Sequence, residues 1–142
     1  MSKLDEIYEL LIEDMNLKNV ERGTLKENPN VNYVKVSVAI AGEKTDLHFI
    51  SEKEGTNEFI SFRTFGLVRF APEQRAKALA VVNDINISFK LLKFTLDSDN
   101  IVTAELDFPD YDDMRVNCKE VLMRADRIIS DAYPILMKAK WA

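Results

Sequence analysis

Leu79 to Pro109 reads LAVVNDINISFKLLKFTLDSDNIVTAELDFP. Its first part has the apolar spacing of a helix end and closes on Asn83-Asp84-Ile85-Asn86. Two amphipathic strands follow, Ser88 to Leu96 and Ile101 to Phe108, joined by the turn Asp97-Ser98-Asp99-Asn100. That turn is too short for a crossover, so the two strands are antiparallel neighbours. No residue of the stretch suggests catalysis; its information is architectural. Asn83 and Asn86 are expected to satisfy backbone groups where the helix turns into the strand, as Asn does at caps and turns.

Upstream of this stretch, Pro72 opens the second helix at a position where its missing N–H costs nothing. Ala76, Leu79, Ala80 and Val82 offer that helix a small apolar face. Three strands precede it. Tyr33 to Ala41 alternates, with Val34, Val36, Val38 and Ile40 facing one way and Lys35 and Ser37 the other. Gly42-Glu43 makes a tight turn, and Asp46 to Ser51 follows with Leu47 and Phe49 opposite His48 and Ile50. Glu58 to Val68 is rich in Phe and Ile, and Gly66 within it marks a bulge or bend.

The first helix starts at Ser2, with Asp5 in capping-box position, and carries Leu4, Ile7, Tyr8, Leu11 and Met15 at helical spacing. Asn16 to Asn32 is polar, contains Gly23 and Asn28-Pro29, and reads as a connector. After Pro109, Asp110 or Asp112 caps a final helix with the stripe Met114, Cys118, Val121, Leu122, Ala125, Ile128, Ile129 and Ala132. Pro134 is expected to kink or end it, leaving a short helical tail. The expected fold is α+β, an antiparallel five-stranded sheet in the order α-β-β-β-α-β-β-α with helices packed on it. The 142 residues are expected to form a single domain.

Composition narrows the function. A net charge of −5 opposes nucleic-acid binding, which needs clustered Lys and Arg, and permits neutral or basic protein partners. Cys118 is the only cysteine, so no intrachain disulfide forms and a reducing compartment fits. The first residues, MSKLDEIYELL, lack the basic start and continuous apolar core of a signal peptide, and no apolar run is long enough to cross a bilayer. A cytoplasmic protein without membrane contact is expected.

Candidate chemistry is sparse. Asp107, Asp110, Asp112 and Asp113 cluster around Pro109, where helix capping explains them better than a metal does. The Asp97–Ile101 stretch fails the calcium-loop pattern, because Ile101 occupies a ligand position and the required Gly is missing. His48 is the only His and has no evident nucleophilic partner, and Cys118 falls on an apolar stripe. Arg63, Arg69 and Arg75 are the candidates for a shared anion, against the plainer reading of solvated arginines. No cofactor, metal or catalytic residue is expected, and the chain reads as not an enzyme.

Asn83-Asp84-Ile85-Asn86, Lys93-Phe94-Thr95-Leu96-Asp97 and Tyr133-Pro134-Ile135-Leu136, together with the element order, give a resemblance to the YbjN family of bacterial sensory transduction regulators, within the type III secretion chaperone-like fold. The family usually has Gly in the turn after the strand-four Asp; Asp99-Asn100 stands here instead. The resemblance implies a bacterial α+β domain, often dimeric, with protein-binding surfaces and no established chemistry. The expectation is therefore a chaperone-like or regulatory interaction domain, acting as a homodimer that binds another protein. The alternative is a small-molecule-binding sensor domain. Phe59, Ile60, Phe62, Phe65 and Leu67 lie on both faces of their strand. Phe59, Phe62 and Phe65 are then the expected interface, unless the chain's own helices cover both faces.

Overall fold

The computed structural model describes residues 2–55, 57–108 and 113–142. Helix α1 (Lys3–Glu9) runs into a π-helical turn, Leu10–Asp14. Four strands follow: β1 (Val20–Thr24), β2 (Val31–Ile40), β3 (Glu43–Glu54) and β4 (Asn57–Arg69). A 3₁₀ turn at Pro72–Gln74 leads into α2 (Arg75–Ser88), then β5 (Lys93–Leu96), β6 (Ile101–Asp107) and α3 (Met114–Trp141). The chain is α+β, with a fully antiparallel sheet in the order β1-β2-β3-β4-β6-β5.

The sheet has six strands, not five. The extra one, β1, lies within the expected connector. Its sequence, Val-Glu-Arg-Gly-Thr, has no apolar alternation because it is a short edge strand held by β2. Helix α2 extends through Ser88, and β5 starts at Lys93 rather than Ser88. The face of α2 also differs from expectation. Ala78, Val82 and Ile85 are buried, while Ala76, Leu79 and Ala80 are exposed. Spacings of four and three form a true helical stripe, and the run of small residues near Leu79 concealed it.

Pro134 does not end α3; the helix continues to Trp141. Its buried stripe is Met114, Cys118, Val121, Leu122, Ala125, Ile129, Ala132 and Leu136. The N-cap is Asp113, whose carboxylate accepts from the Val116 N–H at 3.1 Å. Asp110 and Asp112 lie outside the described residues. At the other end of the chain Ser2 and Asp5 form the expected capping box. A hydrogen bond from Arg22 first, then one from Ser2, holds the Asp5 carboxyl down at about 2.

The two-residue turn between β2 and β3 is Ala41-Gly42, both at positive φ, as a type I′ hairpin requires. Asn100 also sits at positive φ (65°) and is tied by Arg75, which donates to its side chain at 2.8 Å and to the Asp97 carbonyl at 2.9 Å. Asn tolerates this left-handed conformation better than most residues.

One face of the sheet carries the core. Val34, Val36, Phe49, Ile60, Phe62, Val102 and Ala104 are buried there against Leu4, Ile7 and Leu11 of the first helical segment and Cys118, Ala125 and Ile129 of α3. Arg115, in the first turn of α3, bridges to Glu9, Glu13 and Asp14 and so ties the two helical segments together. Among the described residues the opposite face bears no buried cluster of its own.

Candidate functional site: the helix-free face of the sheet

Strand pairing sets one row of side chains across this face. Glu21 pairs with Lys35, Lys35 with His48, His48 with Arg63, Arg63 with Glu105, and Glu105 with Lys93. Residues directly opposite on neighbouring strands share a face, so the row crosses all six strands. Its charges are largely matched. Arg63 meets Glu105 at 3.4 Å and Asp107 at 2.9 Å, and Lys93 meets Glu105 at 2.9 Å. Lys35 lies 3.9 Å from both Glu21 and Asp46. Burial would raise the Asp107 carboxyl, but hydrogen bonds from Arg63 and Ser61 outweigh it and hold the carboxyl below its usual range. Asp46 is held low chiefly by the Ser37 hydroxyl, which donates at 2.5 Å.

Apolar side chains flank this row. Phe59 and Phe65, both on β4, are each 51% exposed, and Ile50 and Tyr33 are half-buried on the same face. Six residues of extended chain separate the two Phe, about 20 Å. The bulge foreshadowed by Gly66 is present: Phe65 to Leu67 stand opposite the single residue Thr103, with Gly66 at φ +72°. Thr64 anchors the start of the bulge through its hydroxyl, which accepts from the Ala104 N–H at 3.3 Å and donates to the Ala104 carbonyl at 3.4 Å. Phe62 belongs elsewhere. It is fully buried against Phe49 in the core, so it cannot share a surface with Phe59 and Phe65.

His48 makes an edge contact with Phe65, centroids 5.1 Å apart at 70°. Its Nδ1 is buried with no hydrogen-bond partner among the described residues. Burial lowers the pKa of this imidazole, Asp46 opposes that, and Lys35 adds to it. The folded state therefore favours neutral His48. In the unfolded chain the group titrates near 6.5. Stability from the neutral ring is thus present above that pH and is lost as pH falls through it toward the lower folded value. We expect the thermal midpoint to fall between pH 7 and pH 5, and His48→Gln to flatten that slope. Parallel slopes for the two proteins would refute the assignment.

The other residues singled out by sequence are dispersed. Arg63 holds Glu105 and Asp107, whereas Arg75 holds the Asp97–Asn100 turn, so the two do not face one anion. Asp107 belongs to the Arg63 network and Asp113 to the α3 cap. Cys118 is buried, and burial pushes its thiol up to about 12, which suits packing and not nucleophilic attack. Among the described residues no three His, Cys, Asp or Glu side chains are grouped to hold a metal ion. No helix among them is long and apolar enough to cross a membrane.

Asn86 binds the Phe94 backbone twice. Its amide donates to the carbonyl at 2.9 Å and accepts from the N–H at 2.8 Å. Asn83 is exposed. The cross-strand row was missed because it is defined by register, not by any segment. Hairpin pairing of Lys35 with His48 was the available signal.

The chain matches no protein-family model and no curated protein.

Proposed function

We propose that this chain is a non-enzymatic protein-interaction domain, chaperone-like or regulatory, that acts as a homodimer through the helix-free face of its sheet. One observation carries the reading: Phe59 and Phe65 are half exposed on a face without helices. An antiparallel sheet with one solvated face normally turns polar residues outward. Large apolar side chains at those positions mark a surface that something covers. The arrangement suits a twofold partner. A second copy rotated about an axis near Arg63 sets the Phe59 end of one face against the Phe65 end of the other. The mixed charges of the central row tolerate that superposition. The net charge of −5 then favours a neutral or basic protein as the dimer's client. The YbjN-like motifs at Asn83–Asn86, Lys93–Asp97 and Tyr133–Leu136 support the same class.

Light scattering at micromolar concentration should give twice the 16.3 kDa chain mass. Phe59→Ser combined with Phe65→Ser should give the chain mass alone while the circular dichroism spectrum is unchanged. A wild-type chain that runs as a monomer at that concentration overturns the proposal.

A further inference from the structure

On the helix-covered side of the sheet, away from the face just described, lies a cavity of about 210 Å³ that is partly open to solvent. Its walls come from the segment after α1 (Leu11, Met15), from the sheet (Val36, Phe62) and from α3 (Leu122, Ile129). Packed interiors leave few voids larger than a water molecule. An apolar void of about 150 Å³ stays dry and accepts the six carbons of benzene. By proportion this one accepts about eight. The backbone beside it is irregular: a π turn at Leu10–Asp14, closed by the Met15 N–H on the Leu10 carbonyl at 3.0 Å, followed by Asn16 at positive φ. π turns recur at functional sites.

The rim decides the ligand's head group. Its exposed members include Met123 and Asp126. Asp126 is the one charged residue lining the cavity, and among the described residues no cation pairs with it. Its neighbours one helical turn away are Leu122, Met123, Ile129 and Ser130, none of them basic. A carboxylate or phosphate head would meet an unpaired carboxylate, whereas a cationic head would be paired by it. We propose that this cavity is a binding site for a small cationic amphiphile, an alkylammonium with a tail of about eight carbons.

Calorimetric titration at pH 7 with n-octylamine, n-octanol and octanoate tests this, because the amine is then protonated like a lysine. The expected affinity order is octylamine, octanol, octanoate, with steps of two- to fivefold, as an exposed ion pair supplies. From butylamine upward, affinity should rise about fourfold per added methylene and level off near eight carbons. Asp126→Lys, an exposed change, should reverse the order of amine and octanoate and leave octanol unaltered. Methyl resonances of Ile129 and Leu122 should shift on titration, and the Phe59→Ser/Phe65→Ser variant should bind as wild type does. The proposal is overturned if octanoate binds wild type as well as octylamine does. It is equally overturned if no probe binds saturably at millimolar concentration, or if the shifts fall on residues outside the cavity.

Discussion

Phe62→Ala should lower stability by about 3–5 kcal/mol, the usual cost of removing a large buried aromatic, whereas Phe59→Ala should change it by less than about 0.5 kcal/mol when measured on the monomer. The two residues are three apart on one strand and lie on opposite faces of the sheet. Phe62 is fully buried, with its ring 5.4 Å from that of Phe49. Truncation leaves a void that the surrounding strands and α3 cannot close without moving. Natural domains have only about 5–15 kcal/mol in total, so this one change endangers the fold. For a chain of this length the thermal midpoint should drop by more than about 10 °C. Denaturant unfolding of the two variants decides the matter. Equal losses would mean that both rings pack alike and that the two faces have been misassigned.

The second large effect is at Asn86. Its side-chain amide occupies both backbone groups of Phe94, the N–H and the C=O. Asn86→Ala leaves them without a protein partner beside a buried ring. The expected loss is about 1–3 kcal/mol, the penalty for stranding a partly buried donor or acceptor. Asn83→Ala serves as the control. Asn83 is exposed within α2, and alanine is the better helix former by about 0.5 kcal/mol. That variant should be neutral or slightly stabilised. Equal midpoints for the two variants would show that the Phe94 bonds contribute nothing.

Much of the architecture is legible in the sequence because it rests on periodicity. The α3 stripe from Met114 to Ala132 and the alternation of Val34, Val36 and Ile40 both state which side is buried. The misreadings share a cause. β1 is held by hydrogen bonds to β2 and has little apolar pattern of its own to display. Gly23 within it looks like a turn residue, yet it is there for space: a Cβ would collide with the ring and hydroxyl of Tyr33, which cross it. Phe62 was grouped with Phe59 and Phe65 by composition, although period-2 alternation separates it from both. The full His48 row is harder to read for a different reason, since hairpin pairing yields only its Lys35–His48 step. It joins six residues from six strands, and only the register of all five pairings brings them into line.

The Asn86–Phe94 pair also makes the two borders of the sheet unequal. A border strand offers unused peptide groups to any other chain that can lie alongside it. At β5, Phe94 already has its backbone occupied by a side chain from α2, so an incoming strand would have to displace Asn86 first. At β1, from Val20 to Thr24, the outer border has no neighbouring strand among the described residues. Strand addition is therefore open at one border and obstructed at the other, so the chain cannot polymerise by adding strands end to end.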